Sequence, residues 1–304
     1  MTALPSTLAD WCATALGSPV VEQLFDRQQA SSVYALELAD GRRVVIKSRR
    51  DADGRAAACV AAQRALADAG FECAAPLTGV CVIDGLAVHA ESFLPGGDVD
   101  GRDDLAAATA SATAYGRALG LLAELAPAPP PTNPDWVRWS EPEPFPRLWW
   151  QDEWVVGAPL PAVVLNTAER VRQRLAGSGF APVLGHADWE TQNLRWCGGA
   201  LHAIHDWDSL ASLPECVLVG AASGTFASNG TPTLAPAASS AAFLGRYQQV
   251  RGRPFRADER ECAWAASLWP ACFNARTQIL YDRPHPALDQ LELQAYRRLT
   301  LAGA

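Results

Sequence analysis

The chain has 304 residues, 49% of them hydrophobic and 19% charged, with a net charge of −8 at neutral pH. Such a composition describes a globular protein able to bury a large core. Its acidic balance speaks against nucleic acid, whose phosphates call for a basic face, and suits a cationic small molecule. No apolar run is long enough for a membrane span, and the N-terminal residues lack the basic segment of a signal peptide. The eight cysteines are scattered, with no CxxC pair, so neither a disulfide framework nor a zinc site is expected. A cytoplasmic location is expected.

In chain order, residues 33–38 and 43–47 read as strands flanking Asp40-Gly41, a strong hairpin signal. Residues 54–69 are rich in Ala and Leu and end at Gly70, as a helix with a glycine just past its end would. Strand character returns over 80–88 around a second Asp-Gly, Asp84-Gly85. Residues 91–97 punctuate the chain as a linker. The expected division is a β-rich lobe over 1–95 and a larger, mostly helical lobe over 96–304.

Beyond the linker, 103–125 reads as a long helix opened by acidic residues, which suit the positive end of its dipole. Residues 127–161 are rich in proline and hold Trp136, Trp139, Trp149, Trp150 and Trp154. Three consecutive prolines, 129–131, forbid helix there. Asn166 to Glu169 matches a capping box that would start a helix stopping near Gly177. After residue 236 the apolar periodicity predicts helices over 243–250, 261–281 and 288–301.

The chemistry lies between these helical regions. His186-Ala187-Asp188-Trp189-Glu190-Thr191-Gln192-Asn193 is followed, after a tight hairpin around Gly198-Gly199, by Ile204-His205-Asp206-Trp207-Asp208. Any one of these carboxylates could cap a turn. In this order they match a phosphoryl-transfer site: a base for a hydroxyl, Asp188, then two hard oxygen ligands for magnesium, Asn193 and Asp206. Lys47 closes the apolar strand Val44-Val45-Ile46 and is the only lysine among 25 basic residues. A compact ammonium there suits nucleotide phosphates as a point charge, a role guanidinium fills with a different geometry.

With these motifs the chain resembles the aminoglycoside phosphotransferase and choline kinase family, and the matching elements run from about residue 20 to residue 280. The resemblance implies an α+β, two-lobed protein-kinase-like fold and a kinase using ATP (or GTP) with Mg2+. It makes Asp188 the catalytic base, Asn193 and Asp206 the metal ligands, and Lys47 the phosphate-binding lysine. Ser31 and Ser32 would serve a loop over the phosphates that has no glycine between Arg27 and Ser32. Ser92 to Leu94 would be the hinge meeting adenine through its backbone, and His186 would support the catalytic loop. The acceptor would be a small hydroxylated molecule such as an aminoglycoside, an amino sugar or a related metabolite. Asp208, Glu190, Trp149, Trp150, Asp152 and Glu153 are the candidates to contact it, with Trp139, Glu141, Glu143 and Trp154 nearby in sequence.

One departure from the family pattern stands out. The first-lobe helix has Cys59 or Gln63, and no glutamate, where a partner for Lys47 is expected. That gap raises the rival reading of a nucleotide-binding module without catalysis, beside a housekeeping kinase of an amino alcohol, sugar or amino acid.

Overall fold

The computed structural model describes residues 2–139, 145, 159–231 and 233–304. The chain forms two compact units, and the first comprises the residues up to Gly96 together with 125–132 and 203–208. Its sheet is built from β1 (Val20–Gln28), β2 (Ser31–Leu38), β3 (Arg43–Arg49), β4 (Cys81–Ile83) and β5 (Leu86–Ser92), antiparallel in the order β1-β2-β3-β5-β4. Both Asp-Gly pairs turn hairpins, with Gly41, Asp84 and Gly85 at positive φ.

Register decides what each face of this sheet carries. β3 pairs with β5 so that Lys47 faces His89 and Val45 faces Glu91. Side chains alternate along a strand, so Val45, Lys47, Arg49, His89 and Glu91 share one face. Val44, Ile46, Val88 and Ala90 share the other, where they join Tyr34, Leu36 and Leu38 in a core closed by Leu8 and Cys12 of α1 (Ser6–Ala15). A second helix, α2 (Ala56–Asp68), is started by the Asp51 carboxylate, which accepts the N–H groups of Arg55 and Ala56. It sends Gln63 to Glu91 on the polar face. The segment 203–208 belongs to the same unit, where Ile204 donates its N–H to the Glu72 carbonyl.

The second unit carries α3 (Leu105–Leu125), α4 (Ala162–Ala176), β6 (Pro182–His186), β9 (Leu210–Pro214) antiparallel to β6, and α5 (Glu215–Thr225). Four more helices follow: α6 (Ala237–Arg251), α7 (Ala257–Ala266), α8 (Trp269–Leu280) and α9 (Pro286–Leu301). Between β6 and β9 run β7 (Leu194–Cys197) and β8 (Ala200–Ile204), a hairpin turned by Gly198 and Gly199 at positive φ.

Two sequence expectations give way here. Asn166 does not start a helix: α4 begins after Pro161, five residues earlier. The reason is its apolar stripe, in which Val164, Ala168, Val171 and Leu175 are buried at helical spacing and Glu169 binds Arg172 and Gln173 instead. Residues 261–281 are not one helix either. Pro270 lacks an N–H and would clash with the carbonyl four residues back, so α7 ends at Ala266 and α8 restarts with the proline in its first turn.

The packing of α5 on α7 depends on glycine. A Cβ on Gly220 would lie 2.2 Å from the Ala263 carbonyl oxygen and 2.7 Å from its Cα. Gly220→Ala is therefore expected to destabilise the protein by about 3 kcal/mol, the upper end for overpacking, although alanine is the better helix former by about 1 kcal/mol. Urea denaturation checks this; an unchanged or raised midpoint would show that the two helices separate without cost.

Candidate active site

Asp188 follows β6 in the second unit, and three neighbours fix its loop. Its N–H donates to His186 Nδ1 at 3.2 Å. Asn193 Nδ2 donates to its Oδ2 at 2.9 Å and to its carbonyl at 3.0 Å. Trp189, only 1% exposed, anchors the loop: its ring lies 4.5 Å from Tyr115 of α3, and its Nε1 donates to Ser111 Oγ at 2.9 Å. Tyr115 in turn donates its hydroxyl to the His186 carbonyl at 2.9 Å. Because the amide nitrogen of Asn193 is taken up by Asp188, its carbonyl oxygen is turned away as a hard donor.

Asp206 stands in the first unit under a parallel device. It is followed by Trp207, fully buried, whose ring meets Phe71 edge-on at 6.1 Å and whose Nε1 donates to the Ile204 carbonyl. Asp206 itself has φ +61, a conformation that costs on the order of 1 kcal/mol outside glycine and that aspartate tolerates better than most.

Around it the sheet supplies charge. Lys47 Nζ lies 3.4 Å from Glu91 Oε1, and Arg49 Nη1 lies 2.7 Å from Asp208 Oδ2. Burial disfavours the Lys47 ammonium, yet the carboxylates of Glu91, Asp208 and Asp206 outweigh that and hold its pKa above the ordinary value. Burial likewise opposes the Glu91 anion, but Lys47, with help from His89 and Gln63, lowers its pKa to about 2. Asp206 is pushed up, by burial first and by Asp208 second. Three carboxylates thus share two cations, and the remaining negative charge suits a metal ion. Among the described residues no group of three or more His, Cys, Asp or Glu side chains could hold a metal alone. Magnesium is commonly held by one or two carboxylates with substrate phosphates completing the shell, and Asp206 is a buried carboxylate of that kind.

The remaining candidates fall as follows. Ser31 and Ser32 are not loop residues: β1 and β2 extend until only Gln29 and Ala30 separate them, and Ser32 Oγ donates to Gln28 Oε1 at 2.6 Å. In the segment expected to be the hinge, Ser92 donates its N–H to the Ala75 carbonyl and accepts the Ala75 N–H on its hydroxyl, while Phe93 N–H goes to the Arg43 carbonyl. Among the described residues no hydrogen bond is made by the N–H of Leu94. Asp208 is engaged by Arg49, and its carbonyl accepts from Arg55. Trp139 packs edge-on against Trp269 of α8. Trp149, Trp150, Asp152 and Glu153 lie outside the described residues, as do Glu141, Glu143 and Trp154.

Glu190 is buried two residues after Asp188, and Gln192 donates to it at 2.7 Å. Burial, and then the Asp188 charge, raise its pKa well above the ordinary value. A carboxyl raised in the folded state makes folding less favourable as pH rises above its unfolded value. Glu190→Gln is accordingly expected to stabilise the protein at pH 8 and to add nothing at pH 4. Thermal unfolding at the two pH values measures this; a gain equal at both would remove the charge as its cause.

The resemblance between this chain and known proteins is decided by its family. A family model described as "Phosphotransferase enzyme family" matches residues 22–212. The chain belongs to that family. No curated protein matches this phosphotransferase, but solved structures share its fold. An amicoumacin kinase, hAmiN, in complex with AMP-PNP, Ca2+ and Ami, is 14% identical with a TM-score of 0.63, covering 91% of this chain and 88% of its own. A choline/ethanolamine kinase family protein from Mesorhizobium loti is 18% identical (TM-score 0.56, 94% and 87% covered). A thermostable mutant of the aminoglycoside phosphotransferase APH(4)-Ia, in a ternary complex with ADP and hygromycin B, is 13% identical (TM-score 0.57, 98% of each chain). The α+β architecture of this phosphotransferase, a sheet-bearing N-terminal region followed by a helical C-terminal one, is that of a protein-kinase-like fold.

Proposed function

We propose that this phosphotransferase is a cytoplasmic small-molecule kinase, moving the γ-phosphate of ATP (or GTP) to a hydroxyl of an amine-bearing acceptor. Aminoglycoside-like antibiotics, amino sugars and related polar metabolites have that chemistry. The observation carrying this reading is the fixed orientation of Asp188, one oxygen of which is held by Asn193 while its loop is tied to His186 and Trp189. The acceptor oxygen attacks the γ-phosphorus, its proton passes to Asp188, and the bond to the β-γ bridging oxygen breaks as the nucleoside diphosphate leaves.

Lys47 would balance phosphate charge, and the N–H of Leu94 would meet the base. Asn193 and Asp206 would hold magnesium, which neutralises charge on the transferring phosphates when bound. The net charge of −8 favours a cationic acceptor. Antibiotics occupy the amicoumacin and hygromycin complexes among the structural neighbours, which supports an antibiotic-modifying role. The likeness to a choline/ethanolamine kinase family protein supports the second reading, a metabolic kinase of an amino alcohol.

The test is nucleotide consumption by the purified chain against aminoglycosides, other hydroxylated antibiotics, amino sugars and choline-like alcohols. Phosphorylation of an amine-bearing alcohol is expected. Magnesium-dependent nucleotide binding without transfer to any of them would overturn the proposal in favour of a binding module.

A further inference from the structure

The helix α2 brings the neutral Gln63 to this face, its own carboxylate Asp68 being exposed, and Glu91 takes up the Lys47 charge from elsewhere. It stands on β5, the strand paired with β3, diagonally across from Lys47: the register sets Lys47 against His89 and Val45 against Glu91. Diagonal neighbours on one sheet face are within reach of long side chains. Both carboxylate oxygens are engaged, Oε1 by Lys47 Nζ at 3.4 Å and Oε2 by Gln63 Nε2 at 2.8 Å. Gln63 also donates to the Ala74 carbonyl at 2.8 Å, so its amide is fixed on a second side. Lys47, Glu91, Gln63 and His89 are all buried, and His89 Nε2 lies 3.8 Å from Glu91 Oε2.

From this arrangement we infer that Glu91 is the positioning residue of Lys47, and that the lysine is set by the sheet itself. The inference rests on reading Lys47 as the nucleotide-phosphate lysine. In protein kinases the matching ion pair joins the sheet to a helix, so movement of that helix makes or breaks it and controls activity. Here donor and acceptor ride on adjacent, hydrogen-bonded strands. α2 contributes a neutral amide that aligns the carboxylate and carries none of the charge. Lys47 is thus preset for the phosphates whatever the position of α2, as befits an enzyme that is always assembled.

Because Lys47 is the only lysine in the chain, its ammonium can be observed alone after labelling with 15Nζ-lysine. In the full-length protein, Glu91→Gln is expected to shift that resonance and speed its proton exchange. It should raise the nucleotide KM at least about ten-fold and leave the acceptor KM within about two-fold, the mark of a lost contact to one substrate. Gln63→Ala should leave the resonance in place and the nucleotide KM within about three-fold, because the ion pair stays on the sheet. Glu91→Gln strands a buried ammonium, a cost to the fold itself, so a charge swap completes the set. Glu91→Gln with Gln63→Glu moves the carboxylate by one hydrogen bond, onto the helix, and should return the nucleotide KM to within about three-fold of the parent.

An unmoved resonance in Glu91→Gln overturns the inference. So does a Gln63→Ala loss as large as that of Glu91→Gln, which would place control in the helix. A shifted resonance with an unchanged nucleotide KM upholds the ion pair and overturns instead the reading of Lys47 as a phosphate ligand.

Discussion

Asp188→Asn is expected to lower kcat at least about a hundred-fold, the scale of a lost general base, while the nucleotide still binds. The substitution preserves shape, and the local hydrogen bonds dictate which way the new amide points. Asn193 Nδ2 donates to the oxygen at Oδ2, so residue 188 must keep an oxygen there. Its amide nitrogen then occupies the Oδ1 position and presents hydrogens to the acceptor hydroxyl, donor against donor. The variant can neither take the proton nor orient the nucleophile. Steady-state kinetics with an acceptor found in the consumption screen, beside calorimetric nucleotide titration, separate the two effects. Near-parental turnover would remove Asp188 from its role, and loss of nucleotide binding would mean that the loop had been disrupted instead.

The local structure around the candidate residues was legible in the sequence because its signals are local. Asp40-Gly41 and Gly198-Gly199 turn the hairpins they announce, and the spacing of Asp188, Asn193 and Asp206 spans one short hairpin. The tryptophans after Asp188 and Asp206 were a signal left unused: each is an anchor buried beside the residue it fixes. The partner of Lys47 was hidden for a different reason. Glu91 reads as the start of a linker until β5 is extended to Ser92. Only the β3–β5 register then shows that the polar residues of Val88-His89-Ala90-Glu91 share a face with Lys47. Alternation within that tetrapeptide was the available clue. The pairing of Asp208 with Arg49 had none, because it joins residues far apart in the chain through the packing of 203–208 on the first unit. Helix α1 went unread as well, although Leu8, Cys12 and Leu16 recur every four residues.

Removing the lysine should separate stability from chemistry. Lys47→Met leaves Glu91 buried without a counter-charge, and breaking a buried pair in this way costs about 3–5 kcal/mol. The dependence on pH identifies the cause by its sign. In the parent, Glu91 is lowered from its ordinary 4.5 to about 2, so the pair's stabilisation is complete above pH 4.5 and is lost as pH falls toward 2. Lys47 is raised, so its share is complete below its ordinary 10.5 and lost as pH climbs through the raised value. In Lys47→Met the strongest influence lowering Glu91 is gone, and burial, the largest influence of all, raises its pKa against the weaker pull of His89 and Gln63, so the variant should weaken as pH rises from 4.5 toward 8 while the parent does not. Denaturant midpoints at pH 5 and pH 8 read this directly; a gap independent of pH would show that packing, not charge, had been lost. Adding Glu91→Gln to Lys47→Met removes the stranded charge and should return most of the stability at pH 8. Turnover should nevertheless stay at least about a hundred-fold down, the scale of a missing electrostatic contact in a transition state. A double variant that regained activity with its stability would make Lys47 a structural cation, leaving the phosphates to other donors.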